Sequence, residues 1–325
     1  MIRSVSGKSG FAAAISVLTL LSAYCSAAAA ELRYFPVPAG THPHDVAAAP
    51  DGTVWYTAQR TGHLGILDPK TGKTEHIALG KGSSPHGVIV GPDGAAWITD
   101  SGQNAIVRVD PVTKAVKLFA LPQGTPYTNL NTAVFDGKGV LWYTGQAGYY
   151  GSVNIKTAEV RVWKAPNGRG PYGITATPSG DIYYASLAGN HIARIETASG
   201  IATMIDPPTR NQGARRVWSD SKGHIWVAEW LSGNLSMYNP ANQQWRAFKP
   251  PVENPRTYSV YVDERDKVWT TEWANNAIMQ FDPATEQWKS YPSNQSDAQV
   301  RQMLGRPGEA WGAESGRDRL VVVRE

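Results

Sequence analysis

The sequence predicts an all-β fold, a seven-bladed β-propeller that closes by pairing its N-terminal strand onto the last blade. An aromatic anchor recurs at spacings of 42, 45, 41, 43, 43 and 42 residues. Each anchor follows a turn and belongs to a set of short apolar runs, and helical periodicity is missing after residue 30. Four strands in every ~42 residues are typical of propeller blades. The seven anchors are Trp55, Trp97, Trp142, Tyr183, Trp226, Trp269 and Trp311.

The first repeat shows how each blade is built. The run HDVAAA (44–49) predicts a first strand, PDG (50–52) a turn and VWYT (54–57) a second strand. Asp-Gly between two apolar runs is a hairpin signal. The runs HLGILD (63–68) and KTEHIAL (73–79) predict the third and fourth strands.

The two ends of the chain predict how the ring closes. The segment LVVVRE (320–325) follows the third strand of the last repeat, while ELRYFPV (31–37) resembles the fourth strand of the other repeats. Pairing the two segments completes the seventh blade and leaves no unpaired edge. Residues 31–325 are therefore expected to form a single domain.

Residues 1–30 have the features of a secretory signal peptide. Arg3 and Lys8 precede an apolar run from Phe11 to Tyr24, and small residues follow it. The run is shorter than the roughly 20 residues that span a bilayer. The only cysteine, Cys25, lies in this segment. We expect a periplasmic or secreted monomer that has no disulfide and no membrane attachment after the signal is removed.

The charge balance argues against nucleic acid as a partner. The chain has 31 Lys and Arg against 27 Asp and Glu, a net charge of +4. Two of the basic residues belong to the predicted signal peptide, which leaves 29 − 27 = +2. Phosphate recognition relies on a clear basic surplus, so a small-molecule substrate is the expected partner.

Polar residues recur at two positions that converge on one mouth of the predicted channel. Eleven residues before the anchors lie His44, His86, Asn131, Tyr172, Arg215 and Tyr258, with Arg301 in register in the last blade. Three residues after the anchors lie the carboxylates Asp100, Glu229, Glu272 and Glu314, and the second and third of these precede Trp230 and Trp273. Convergent charges between aromatic walls favour a small-molecule site. Arg215 with Glu229, and Arg301 with Glu314, can alternatively form ion pairs within one blade.

The histidines indicate the chemistry of this site. His44 and His86 lie on adjacent blades and are expected to face Asp100, an arrangement that suits proton transfer or a hard divalent cation. A hydrogen bond to the backbone of a neighbouring blade is the alternative role for either histidine. Gly-x-Ser-x-Gly, His-Glu-x-x-His and Cys-x-x-Cys motifs are missing from the sequence.

Units such as PHGVIVGPDGAAWITDSGQNAIVRVD (85–110) resemble the virginiamycin B lyase family, and the resemblance extends over the whole chain after residue 30. It implies a seven-bladed propeller that opens cyclic depsipeptide antibiotics by elimination, and with it a role in antibiotic resistance. In that chemistry a His base removes the proton α to a carbonyl and the ester oxygen leaves. Mg²⁺ is held by a carboxylate and the substrate. The resemblance therefore implies Mg²⁺ as the cofactor of this chain, with Ca²⁺ as the alternative.

The family's site motifs are displaced in this chain. A Pro-His is expected to open the penultimate blade and a Glu-Pro-His the last, where this sequence has Thr257-Tyr258 and Gln299-Val300-Arg301. Similar motifs, Pro43-His44 and Ser84-Pro85-His86, open the first two blades instead. The resemblance therefore implies His86 as general base, His44 as second acid or base and Asp100 as metal ligand. The residues expected to contact substrate are Tyr172, Arg215, Glu229, Trp230, Tyr258, Glu272, Trp273, Arg301 and Glu314.

The function expected from the sequence is a secreted lyase that opens a cyclic depsipeptide or related ester by metal-assisted elimination. Two alternatives stay open. One is a lactonase-like metallohydrolase in which Asp100, Glu229, Glu272 and Glu314 hold Ca²⁺ or a similar ion. The other is a periplasmic ligand-binding or scaffold propeller without catalysis.

Overall fold

The predicted seven-bladed propeller is confirmed. The computed structural model describes Met1, Ile2, Ser4, Gly7 and residues 30–325, which contain seven four-stranded antiparallel sheets. Nearly all of the predicted signal peptide lies outside the described residues. No helix within the described residues is both apolar enough and long enough to cross a bilayer.

The first four blades follow one another along the chain, each with its strands in sequence order. Blade 1 contains β2 (Pro43–Ala48), β3 (Val54–Ala58), β4 (His63–Leu67) and β5 (Thr74–Ala78). Blade 2 contains β6 (Pro85–Val90), β7 (Ala96–Asp100), β8 (Ala105–Val109) and β9 (Val116–Ala120). Blade 3 contains β10 (Leu130–Phe135), β11 (Val140–Gly145), β12 (Tyr149–Asn154) and β13 (Val160–Lys164). Blade 4 contains β14 (Pro171–Ala176), β15 (Ile182–Ser186), β16 (His191–Ile195) and β17 (Ala202–Ile205).

The remaining three blades complete the ring. Blade 5 contains β18 (Ala214–Ser219), β19 (Ile225–Glu229), β20 (Leu235–Asn239) and β21 (Gln244–Phe248). Blade 6 contains β22 (Thr257–Val262), β23 (Val268–Glu272), β24 (Ala277–Asp282) and β25 (Gln287–Pro292). Blade 7 contains β26 (Val300–Arg306), β27 (Glu309–Glu314), β28 (Arg319–Arg324) and β1 (Glu31–Pro36), with a short 3₁₀ helix at Ser315–Arg317.

The N-terminal strand closes the ring, as the sequence predicts. Strand β1 pairs antiparallel with β28, from Glu31 opposite Arg324 to Pro36 opposite Arg319. The outer edge of blade 7 is therefore supplied by the opposite end of the chain. The pairing ties the first residues of the domain to the last ones.

The hydrophobic core is divided among the contacts between neighbouring blades. Within the described residues, seven clusters of buried apolar side chains each join two adjacent blades. All seven predicted anchors are buried. The indole Nε1 of Trp97 donates to Asp93 at 3.0 Å, and that of Trp226 donates to Asp220 at 3.0 Å. These bonds satisfy a buried polar atom and connect the anchor to the preceding turn.

A β-bulge in the first strand positions the residues that line the channel. In blade 1 the pairing shifts between Pro43 and Val46, so that two consecutive residues, His44 and Asp45, occupy the bulge. The same shift occurs at the start of the first strand in each of the seven blades. In a regular strand the side chains of neighbouring residues point to opposite faces of the sheet, whereas a bulge changes the direction of these side chains.

In blades 1 and 2 a threonine two residues after the anchor holds the bulge in place. The hydroxyl of Thr99 accepts from the Gly87 amide at 2.8 Å and donates to the Asn131 carbonyl of the next blade at 2.5 Å. Thr57 makes the equivalent bonds to the Asp45 amide and the His86 carbonyl. One buried hydroxyl therefore satisfies two bulges on adjacent blades.

Replacing the Thr99 hydroxyl is expected to destabilise the protein. We expect Thr99→Val, which keeps the side-chain shape, to lower the free energy of unfolding by about 1–3 kcal/mol, because two buried backbone groups lose their partner. Denaturant unfolding measures the change. The control is Thr203→Val at an exposed position on β17, for which we expect a change within about 0.5 kcal/mol. Equal effects of the two substitutions would contradict the role of the hydroxyl.

Candidate active site at one mouth of the channel

The bulged residues lie around the channel, where they form a ring of residues connected by side-chain contacts from His44 to Arg301. The His44 and His86 rings are 3.8 Å apart between centroids. His86 contacts Asn131 and, edge-on, Tyr172, whose hydroxyl is 3.0 Å from that of Tyr258. The ring also includes the side chains of Arg215 and Arg301, which hydrogen-bond to the two tyrosine hydroxyls. The residues eleven positions before the anchors, with Arg301 in the last blade, are therefore brought together at the channel, as the sequence predicts.

His44 is oriented by a carboxylate. Its Nδ1 lies 2.8 Å from Oδ1 of Asp45. Arg216 of blade 5 donates to the same oxygen across the channel, at 3.2 Å. All three side chains are at most 3% exposed. Nδ1 of a neutral His44 donates to the carboxylate, which leaves the lone pair on Nε2. Nε2 has no hydrogen-bond partner among the described residues.

His86 has the opposite tautomer. The Asn131 side chain accepts from the Thr132 hydroxyl through Oδ1, at 2.7 Å, so its amide nitrogen faces His86 Nε2 at 3.1 Å. That nitrogen of His86 must therefore accept, and in the neutral ring Nδ1 carries the proton. Nδ1 is buried without a partner in the described part of the chain. Of the two histidines, His44 has the free lone pair.

Both imidazoles are held in the neutral form. Burial lowers the pKa of His44 well below its usual range, and Arg301 and Arg216 lower it further. Burial likewise lowers the pKa of His86, with His44 as the next contribution. Burial raises the pKa of Asp45, although the Arg216 guanidinium opposes that shift. A neutral imidazole at neutral pH is the state that a general base needs.

The other half of the ring is aromatic and cationic. Tyr258 stacks on Trp273 at a centroid distance of 4.6 Å and an angle of 5°. Trp230 is perpendicular to Trp273 at 5.5 Å. The Arg215 guanidinium lies over the Tyr258 ring, 3.8 Å from its centroid. Trp230, Trp273, Arg215 and Arg301 are partly exposed and form the accessible surface of the mouth.

The carboxylates three residues after the anchors do not join this ring. Asp100, expected to face the histidines, accepts instead from the Ser83 hydroxyl, the Ser84 amide, and the backbone and side chain of Gln103. The other three carboxylates are likewise buried and bonded to groups away from the ring. Glu229 accepts from Gln212, Ser232, Asn234 and Ser236; Glu272 from Arg256, Ala274 and Asn275; and Glu314 from Ser293 and Arg319.

The ion pairs considered from the sequence are therefore not formed. Arg215 contacts tyrosines rather than Glu229, and Arg301 contacts Ser315 and Tyr258 rather than Glu314. The physical reason is that each of the two glutamates finds nearer donors, from its own blade or the segment before it, and these donors satisfy it at the strand end.

Sequence reasoning missed the second layer of the site. Asp45 and Arg216 each directly follow a ring residue, and strand alternation predicts that they point away from the channel. The bulge turns both of them inward. The sequence did contain one indication of this pair. Asp45 and Arg216 have opposite charges and both lie ten positions before an anchor, in blades 1 and 5.

Together these features define a seven-bladed propeller with a buried acid–base pair and a cationic aromatic surface at one mouth of its channel. The chain belongs to the virginiamycin B lyase family, whose family model matches residues 24–244. None of the curated proteins matches it.

Solved structures show the same fold at low sequence identity. Virginiamycin B lyase from Staphylococcus aureus has a TM-score of 0.84 at 20% identity, covering 91% of this chain and 100% of that one. A catalytically inactive variant of that lyase with quinupristin has a TM-score of 0.83 at 21% identity, with coverages of 91% and 100%. Hydrazine synthase from Kuenenia stuttgartiensis has a TM-score of 0.73 at 14% identity, with coverages of 89% and 97%.

The residues at the mouth do not fit a magnesium or calcium ion. His44, Asp45 and His86 are the described residues whose ligand atoms come together, within 4.8 Å of one another. Magnesium and calcium prefer oxygen ligands, and the single carboxylate of this group is already paired with Arg216. The positive charges of Arg301 and Arg216 lower the pKa of His44, and they also oppose the binding of a metal cation beside it.

Proposed function

We propose that this protein is a lyase that opens an ester, in a cyclic depsipeptide or a related molecule, by base-catalysed elimination. The observation that carries the proposal is the Asp45–His44 pair, in which the carboxylate orients a neutral imidazole and leaves Nε2 free to accept a proton. Membership of the virginiamycin B lyase family supports the reaction class. His44 is thus assigned the role of base that the sequence motifs suggested for His86.

The reaction removes one proton from the substrate and adds no water to it. His44 Nε2 takes the proton from the carbon α to a carbonyl, and the electron pair of that bond forms a double bond to the β-carbon. The bond between the β-carbon and the ester oxygen breaks, and the oxygen leaves as a carboxylate. Arg215 and Arg301 supply positive charge at the same mouth, where it stabilises the developing anion. His44 then releases its proton to solvent.

A direct assay tests the proposal. The purified protein is incubated with a type B streptogramin, with and without a chelator, and the product is followed by mass spectrometry. We expect an opened product of unchanged mass, formed at rates within about twofold in both conditions, because the mouth does not fit a divalent cation. A gain of one water, or no turnover by the folded protein on any ester of this class, would contradict the proposal.

The two alternatives differ in their support. A metallohydrolase would need converging carboxylates, whereas those of blades 2, 5, 6 and 7 accept hydrogen bonds at separate strand ends. A ligand-binding propeller without catalysis is favoured by the partly exposed arginines and tryptophans of the mouth. Ligand binding without turnover would distinguish this second candidate from the lyase.

We also propose that residues 1–30 direct export and are then removed, so that the propeller acts in the periplasm or outside the cell. The charged start, the apolar run and the small residues that follow it support this assignment. The described domain, residues 30–325, lacks cysteine and depends on its core and ring closure for stability.

A further inference from the structure

Two guanidinium groups at the mouth flank one tyrosine. Arg301 Nη1 donates to the Tyr258 hydroxyl at 3.2 Å, and Arg215 Cζ lies 3.8 Å from the centre of the same ring. Both arginines are partly buried, and Nε of Arg215 is fully buried without a partner among the described residues. Desolvated cations are stabilised by a nearby negative charge.

No carboxylate in the described part of the chain supplies that charge. Asp45 is paired with Arg216, and Glu314 is paired with Arg319. Glu229 is occupied by hydrogen bonds from its own blade and the loop that leads into it. The two arginines hydrogen-bond only to neutral hydroxyl groups or to a tyrosine that can ionise. Within the ring, Arg215, Arg216 and Arg301 therefore face a single carboxylate, that of Asp45, and the ring has an excess of positive charge.

Aromatic faces surround the two guanidinium groups. The Arg215 guanidinium is 4.7 Å from the centre of the Trp230 ring, and that of Arg301 is 5.3 Å from Trp273. A third guanidinium group, that of the exposed Arg256, lies 5.2 Å from the centre of the Trp230 ring. Aromatic walls around paired cations suit a ligand with a flat apolar body and an anionic end.

We propose that the mouth binds the carboxylate of an aromatic acid between Arg215 and Arg301, with the aromatic body against Trp230 and Trp273. The substrate class that this site implies rests on the proposed lyase function, because the leaving group of the elimination is a carboxylate. Binding of the acid itself can be tested without turnover.

The same geometry couples binding to proton uptake by Tyr258. Burial would raise the pKa of Tyr258, but Arg215, Arg301 and Arg216 outweigh it and lower that pKa to about 7. The groups that face Tyr258 are Tyr172 of β14, Arg215 and Arg216 of β18, Arg301 of β26 and the neutral rings of Trp230 and Trp273. Burial, followed by the charge of Tyr258, raises the pKa of Tyr172 to about 12, so Tyr258 is the member of the pair that ionises.

A bound carboxylate replaces the phenolate as the negative partner of the arginines. Below about pH 7 Tyr258 is neutral and the arginines are free to bind the anion. Above about pH 7 the phenolate occupies them, so affinity falls as the pH rises. Near neutral pH, binding therefore takes up a fraction of one proton.

The probe is 2-naphthoate, with neutral 2-naphthamide as its matched analogue. Calorimetric titration of the purified protein at pH 6.5 in bis-Tris and in imidazole measures affinity and proton uptake together. We expect naphthoate to bind at least about tenfold more tightly than naphthamide, and Arg215→Gln or Arg301→Gln to remove at least about tenfold of the naphthoate affinity. Tyr258→Phe is expected to retain binding but to lose both proton uptake and the decline in affinity above pH 7.

The control is Arg161→Gln on the outer strand β13, where Arg161 pairs with Glu159. This variant should bind naphthoate as the unchanged protein does. Equal affinities of the unchanged protein for naphthoate and naphthamide would overturn the proposal without reference to any variant. Naphthoate binding without ester elimination would uphold it and refute the lyase function, whereas elimination without naphthoate binding would do the reverse.

Discussion

Substituting His44 by alanine is expected to lower the rate of ester elimination by about 100-fold to 10,000-fold, the range that a positioned general base contributes. His44 is the histidine with a free Nε2, because its Nδ1 is held by Asp45. Its neutral state follows from burial and from the nearby Arg301 and Arg216. Steady-state kinetics at saturating substrate measures the loss, which should fall mainly on kcat.

The matched control is His76→Ala. His76 lies on the outer part of blade 1 and hydrogen-bonds to the Tyr56 hydroxyl at 2.7 Å, away from the mouth. Its substitution is expected to leave kcat within about twofold. If His44→Ala retained full activity while His86→Ala lost it, the tautomers assigned from the hydrogen bonds would be wrong.

Arg216→Met is expected to have the largest effect on stability, about 3–5 kcal/mol, because it leaves the buried Asp45 carboxylate without its cation. Arg216 is 1% exposed and Asp45 is 2% exposed, so water cannot replace the lost partner. Denaturant unfolding at pH 7 measures the difference. The loss should shrink as the pH falls towards 5, since the unpaired carboxyl has a raised pKa in the folded state and becomes neutral by binding a proton.

Two further variants make the result specific. The double variant Asp45→Asn with Arg216→Met removes both charges and should recover part of the lost stability. Arg246→Met breaks the exposed pair with Glu286 and should change the free energy of unfolding by less than about 1 kcal/mol. A loss at Arg216 no larger than at Arg246, with no dependence on pH, would contradict the structural role of the buried pair.

The architecture was predictable from the sequence because it depends on a repeated local pattern. The anchors Trp55 to Trp311, the hairpin turns and the closing strand follow from spacing and composition alone. The convergence of His44 and His86 was also predictable, since equivalent positions of adjacent blades must meet at the same mouth.

The partners of the charged residues were not predictable in the same way. Asp45 meets Arg216 across the channel, from 171 positions away in the sequence, and only the bulge brings both side chains inward. Asp100 lies at the end of β7, but it bonds to Ser83, Ser84 and Gln103 instead of facing the histidines. The repeat predicts the backbone position of each side chain. The hydrogen-bond partner of that side chain depends on which donor lies nearest in three dimensions.

The most direct test of the proposed chemistry is the fate of the substrate's α-proton and of solvent oxygen. A type B streptogramin deuterated at the carbon that loses its proton is incubated with the protein in ¹⁸O-labelled water, and rate and product mass are recorded. Base-catalysed elimination predicts slower turnover of the deuterated substrate and a product without ¹⁸O, because the ester opens without water. A product with one added labelled water, formed at the same rate from both substrates, would contradict the assignment of His44 as the base of a lyase.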